Sequence, residues 1–187
     1  MNMHKNYRAI DLRGYPCDMY EKVYQVYKFR KEKPDYEYLG VELSFNDLRE
    51  IRRLKKTPIF VRGGTEEKNR RILENKRVSV LSSPYPVNHF QAKLASKNGT
   101  AFEINVSEIV RAHGYARAIL MEKLQKTIRV ARKYHSPILI TSGATSELEV
   151  KSPRVLVAFG KILGLEYYEA KACIYNVPKL ILLKVKG

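Results

Sequence analysis

Three acidic residues, Asp11, Glu42 and Glu103, fall near the ends of apolar runs. Strand ends are where an α/β fold presents functional groups, and three carboxylates gathered there could hold Mg²⁺ and turn over a phosphoester. The histidines lend this reading little support. His4, His89, His113 and His135 form neither an H-x-H nor an H-E-x-x-H pair. Nucleophilic catalysis has less behind it. Ser142-Gly143 lacks the G-x-S-x-G elbow, and Cys17 and Cys173 have no histidine close in sequence.

Anion binding is better supported. Two turns after apolar runs are rich in small residues, Arg62-Gly63-Gly64-Thr65 and Ser142-Gly143-Ala144. Such turns can aim backbone N–H groups at an anion, although neither matches a P-loop or G-x-G-x-x-G. Plain turn chemistry is the competing explanation. Further on, Ser152 stands as an N-cap, Pro153 in the first helical turn and Gly164 past the last periodic residue. Lys151 and Arg154 add two cations to a helix end that already favours anions, so they do not balance its dipole. A phosphate would suit them, and a solvated cap with incidental charges is the alternative.

These residues need elements to position them. Apolar runs predict strands at 7–12, 39–45, 58–62, 78–81, 101–106 and 137–141, and a last strand at 180–185. Helical spacing and capping residues predict helices at 18–31, 46–55, 65–76, 87–97, 116–135, 153–163 and 165–175. Repeated βα units imply an α/β, TIM-barrel-like (β/α) domain spanning 1–187, with six to seven largely parallel strands surrounded by helices. Periodicity does not choose between a closed and an open barrel. In the 116–135 helix, Leu120, Leu124, Ile128 and Ala131 form the inward stripe. Arg117, Lys126, Arg129 and Lys133 fall largely opposite, with Glu122 the one acid among them.

Charge narrows the function further. Lys and Arg number 35 against 19 Asp and Glu in 187 residues, a net +16. That surplus favours nucleic acid without implying sequence specificity. It is densest over 49–77, where Arg49, Arg52, Arg53, Lys55, Lys56, Arg62, Lys68, Arg70, Arg71, Lys76 and Arg77 face only Glu50, Glu66, Glu67 and Glu74. Structured RNA would meet such a surface through its phosphates. Thirteen tyrosines and no tryptophan offer stacking partners, or half-buried packing. No apolar run could span a bilayer and no signal peptide is expected. Two cysteines far apart suit structural thiols in a cytoplasmic protein.

Particular segments carry a resemblance. They are Phe102-Glu103-Ile104-Asn105, the Arg117 helix ending in Ala131-Arg132-Lys133, the Pro137 strand, Ser142-Gly143-Ala144, Ser152-Pro153-Arg154, Gly164-Leu165 and Ala170. In this order they resemble the component 3 protein family of archaeal ribonuclease P, related to the thirty-kilodalton eukaryotic subunit. Asp11-Leu12-Arg13-Gly14 also fits. The resemblance implies a barrel-like fold akin to metal-dependent phosphoesterases of the polymerase and histidinol phosphatase type. The place of their H-x-H motif reads Asp11-Leu12-Arg13 here, which implies no catalytic residue and no metal held by the protein.

It further implies an RNA-binding subunit assisting 5′-leader removal from precursor tRNA, with Mg²⁺ held by the catalytic RNA. Implied partners are that RNA, precursor tRNA, a small ferredoxin-like protein subunit and other ribonuclease P subunits. Arg13, Arg62, Ser142, Lys151 and Arg154, at expected strand ends or helix starts, and Arg117, which matches the family pattern, are the candidate RNA, phosphate or partner contacts. Charge reversal at Arg13 or Arg154 is expected to weaken RNA binding or assembly without unfolding the chain. A phosphoesterase using Asp11, Glu42 and Glu103, and a generic basic RNA-binding scaffold, are the alternatives.

Overall fold

The computed structural model describes residues 8–187, so His4 and Tyr7 lie outside the described residues. The strands are β1 (Ile10–Asp11), β2 (Lys22–Val23), β3 (Gln25–Lys28), β4 (Leu39–Leu43), β5 (Ile59–Arg62), β6 (Val80–Ser82), β7 (Ala101–Asn105) and β8 (Ile138–Thr141). The helices are α1 (Glu66–Glu74), α2 (His89–Asn98), α3 (Val106–Arg111), α4 (Gly114–Lys133), α5 (Pro153–Ile162), α6 (Tyr167–Ile174) and α7 (Asn176–Lys186). Short 3-10 helices cover Phe45–Arg53 and Glu147–Glu149.

Strands β3 to β8 pair in sequence order, each parallel to the next, as βα connections require. β1 pairs with β2, which Tyr24 separates from β3. The α/β class with parallel strands surrounded by helices therefore holds, and the closure that periodicity left undecided is settled as open, so the likeness to a TIM barrel stops short of a closed one. The six-stranded sheet is a curled, open half-barrel, with no strand ladder joining β8 back to β3. A two-residue β1 cannot supply such a ladder. The chain instead meets itself beyond the strand ends, where Gly143 N donates to Arg13 O at 2.9 Å.

Strand alternation sorts the apolar residues into two cores. Outward-facing Val41, Leu43, Ile59, Val61, Leu81, Phe102, Ile104 and Ile140 pack with Ile72, Leu73, Leu124, Ile128 and Leu156 of the helices. Inward-facing Phe60, Val80, Ala101 and Leu139 pack with Ile10, Leu12, Tyr24 and Ile181. Ile181 belongs to α7, which fills the concave side that a closed barrel would fill with its own strands.

The expected strand at 180–185 is therefore a helix. Val177, Ile181 and Val185 recur at helical spacing, and Pro178 sits in the first turn, where its missing N–H costs little. The expected helix at 18–31 is instead β2 and β3. Its Lys-Val-Tyr-Gln-Val-Tyr run is rich in β-formers, and pairing with β1 and β4 decides it. The helix expected at 46–55 is 3-10 throughout Phe45–Arg53. α3 follows β7 without a loop, its first turn capped by Asn105 Oδ1 accepting from Glu108 N at 3.4 Å. Thr65 caps α1 as expected, whereas the Ser152 side chain makes no cap hydrogen bond to α5.

Candidate functional site

Parallel strands bring their carboxyl ends to one rim, and the inner face becomes polar towards it. Phe60, Val80, Ala101 and Leu139 give way to Glu42, Ser82, Glu103 and Thr141. Arg13, just past β1, reaches into this layer. Its Nε lies 3.0 Å from Glu103 Oε1. That N–H is not aligned with an acceptor, so the contact is an ion pair and not a hydrogen bond. Both terminal nitrogens lie 3.5 Å from Glu42 Oε1, and Nη2 donates to Ser82 Oγ at 3.1 Å. The guanidinium carbon sits 4.6 Å from the centre of the Phe60 ring. Thr141 Oγ1 donates to Glu103 Oε1 at 2.8 Å. Burial would lower the Arg13 pKa, but the Glu103 and Glu42 carboxylates outweigh it and raise it, fixing a cation inside the half-barrel.

Asp11 is buried beside this cluster. It accepts from Arg13 N at 3.1 Å and from Ser142 N at 3.3 Å to each oxygen. Burial pushes its carboxyl up to about 7, against the opposing hydrogen bonds from Ser142 and Arg13.

The three carboxylates of the hydrolase reading thus lie around one arginine, and they do not fit a divalent ion. Glu42 and Glu103 are turned to the guanidinium, and Asp11 binds two backbone N–H groups. Among the described residues, no group of three His, Cys, Asp or Glu is arranged to hold a metal.

The two small-residue turns are also satisfied internally. Ser142 N bonds Asp11, Gly143 N bonds Arg13 O, and Ala144 N reaches Ser142 Oγ at 3.2 Å. Gly143 has φ +65°, and a Cβ there would collide with Asn105 Oδ1, so glycine alone fits. In the other turn Gly63 N bonds Ser82 O and Gly64 N bonds Asn69 Oδ1, each at 2.8 Å. Neither turn keeps these N–H groups for an anion, and the turn explanation prevails.

Of the six candidate residues, Arg13 and Ser142 meet inside, where Ser142 Oγ donates to Arg13 O at 3.3 Å. Arg62 is exposed at the end of β5, 3.8 Å from Glu108. Lys151 Nζ donates to Glu149 O, and its carbonyl accepts from the Tyr20 hydroxyl at 2.5 Å. Arg154 is exposed on the first turn of α5. Arg117 turns back on its own chain, with Nε donating to Ala112 O at 2.6 Å and Nη2 to Val110 O at 3.1 Å. It caps the carboxyl end of α3.

Sequence reasoning missed Glu108 and Arg111. Glu108 accepts from Ser83 Oγ at 3.1 and 3.2 Å. Arg111 Nη2 pairs with Glu149 Oε1 at 2.5 Å and, with Thr145, holds that carboxyl down to about 2. Both missed residues lie on α3, which no periodic signal announced.

A second feature lies on the outside. All eleven basic residues of the 49–77 run are exposed. Four have near acids, as Arg53–Glu50 at 2.8 Å, Arg70–Glu74 at 3.0 Å, Arg71–Glu67 at 2.7 Å and Arg62–Glu108 at 3.8 Å. Such exposed pairs are weak and leave a positive surplus. Arg77 donates to Arg52 O at 3.3 Å and Leu54 O at 2.7 Å. It thereby joins the end of α1 to the first 3-10 helix as one surface.

A family model described as RNase P subunit p30 matches residues 6–186. Ribonuclease P protein component 3 of Methanothermobacter thermautotrophicus is 29% identical over 184 residues, covering 90% of this chain and 75% of that protein. The Methanosarcina mazei protein of the same description is 35% identical over 131 residues, 67% of this chain and 55% of its own length. That of Thermococcus gammatolerans is 35% identical over 136 residues, 70% of this chain and 63% of its own. The chain thus spans from about half to three quarters of these relatives. A chain in the cryo-EM structure of archaeal ribonuclease P with mature tRNA superposes with a TM-score of 0.72 at 22% identity, over 86% of this chain and 80% of that one. At that identity the likeness is one of fold.

Proposed function

The chain belongs to the RNase P subunit p30 family, and on that premise we propose that it is an RNA-binding, non-catalytic protein subunit of ribonuclease P. It assists a catalytic RNA in removing the 5′ leader from precursor tRNA. The observation that carries the non-catalytic part is Arg13, whose guanidinium occupies the space between Glu42 and Glu103 where a hydrolase would need open carboxylates. Mg²⁺ chemistry is then the RNA's. The protein's share is to neutralise phosphates and hold the RNA fold.

Within this reading the residues divide by position. Arg62, Lys151, Arg154 and the basic run of 49–77 meet RNA or a partner subunit. Arg117 fixes the α3–α4 junction, and Arg13 and Ser142 act from inside by holding the rim. A small ferredoxin-like subunit is the direct protein partner, further ribonuclease P subunits complete the assembly, and the location is cytoplasmic. Among the described residues no helix is long and apolar enough to cross a membrane.

The test is precursor-tRNA cleavage by the cognate RNA at limiting Mg²⁺, with the partner subunit present and this chain added or omitted. Stimulation that needs both RNA and this chain is expected. Cleavage by protein alone would restore the hydrolase reading. RNA binding without stimulation would leave a generic basic scaffold.

A further inference from the structure

The amino end of α2 and the carboxyl end of α4 place three rings together outside the basic run described above. His89 and Phe90 have ring centroids 4.1 Å apart, inclined by 36°, and His89 lies 6.4 Å from Tyr134 at 35°. Two ammonium groups flank the set, Lys93 Nζ at 5.5 Å and Lys133 Nζ at 5.8 Å from the Tyr134 ring centre. Phe90 is 64% exposed, so packing does not account for it. The turn that presents it is rigid. Asn88 and Gln91 form a reciprocal capping box, and Gln91 Nε2 donates to Glu66 O at 2.9 Å. The backbone that carries His89 and Phe90 is therefore held in place before any partner arrives.

We infer that this cluster is a stacking platform for unpaired bases of single-stranded RNA, with Lys93 and Lys133 taking the adjoining phosphates. The inference rests on the RNA-subunit reading and gives it a place and a mode of contact. Aromatic faces beside cations are how proteins hold single strands irrespective of sequence. A protein partner fits less well, because lysine is depleted in the cores of protein interfaces. On its α1 side Phe90 borders a groove lined by Glu66, Glu67 and Glu74 together with Arg70, Lys93 and Lys97. The adjoining phosphates are assigned to Lys93 and Lys133 because both ammonium groups flank the Tyr134 ring.

The chain has no tryptophan, so Phe90→Trp introduces a single reporter that keeps a stacking face. Short oligouridylate should quench its emission saturably. Heparin, a polyanion without bases, should compete for binding without quenching. Phe90→Leu, which keeps an apolar side chain but has no π face, should weaken oligouridylate binding roughly tenfold or more. Its unfolding midpoint should match the parent's. If RNA binds with no quenching and Phe90→Leu binds like the parent, the platform is wrong while the RNA-subunit reading stands. An emission change with the purified partner subunit, and none with RNA, would assign the face to protein and overturn the inference. If the parent chain binds no RNA at all, both readings fall together.

Discussion

Replacing Arg13 by methionine would leave Glu42 and Glu103 beside Phe60 without a counter-charge. Removing one partner of a buried ion pair costs about 3–5 kcal/mol, because the stranded charge stays desolvated. Arg13→Met should therefore lower the urea midpoint strongly. Adding Glu42→Gln and Glu103→Gln should recover most of the loss, since no unpaired charge then remains. A variant as stable as the parent would show that the cluster is not desolvated. The same geometry revises what charge reversal at Arg13 should do. The sequence placed this arginine at a strand end, as a surface contact, and could not show that β1 turns it inward. Its effect is now expected on stability first.

Asp11 carries a second prediction at this scale. Its carboxyl stands at about 7 in the fold against an ordinary 3.8. Between those values the native state keeps a proton that the unfolded chain has lost. The stability it contributes is complete below about 3.8 and is lost as pH rises through about 7. Asp11→Asn mimics the protonated form and has no such dependence. Urea unfolding across pH 4 to 8 should show the parent losing ground to the variant with rising pH, by at most on the order of 4 kcal/mol. A gap that stays flat across that range would mean Asp11 is ionised in the fold throughout.

At the scale of elements, α7 is where packing overruled pattern. A run of Leu180 to Leu183 has no period of its own and reads as a strand. As a strand it would bury Ile181 and Leu183 on one face together. As a helix it buries Ile181 and leaves Leu183 65% exposed. Ile181→Ala should cost about 2–5 kcal/mol by opening a cavity under Phe60 and Leu139. Leu183→Ala should stay within about 0.5 kcal/mol. Equal, large losses at both positions in chemical denaturation would count against the helix. The 18–31 segment shows the converse, a helical expectation overruled by pairing with β1 and β4. By contrast α1 and α2 were legible because capping residues and apolar spacing agree, and α4 because its apolar stripe alone is long enough. Thr65 and Asn88 bond where an N-cap should, and Leu124, Ile128 and Ala131 are buried as the spacing required.

For the whole molecule, the +16 charge acts through long-range attraction and counter-ion release. Arg49, Arg52, Lys55 and Lys56 are exposed, so changing all four to glutamine should leave the fold intact. The slope of log affinity for the ribonuclease P RNA against log salt should shrink by about 0.7–0.9 for each phosphate that is no longer neutralised. Filter binding over a salt series reads this directly, and an unchanged slope would place the RNA elsewhere.

The basic surplus, the parallel βα order and the small-residue turns were determined by the sequence itself. Charge count, hydrophobic period and the clustering of small residues in a turn are local properties that survive without a fold. Tertiary structure alone decided that the half-barrel stays open, that α7 fills its concave face, and that Arg13 neutralises the carboxylates a hydrolase would have used. Each depends on which distant residues meet. Arg13 and Glu103 are ninety positions apart, and only the curl of the sheet brings one guanidinium to both glutamates.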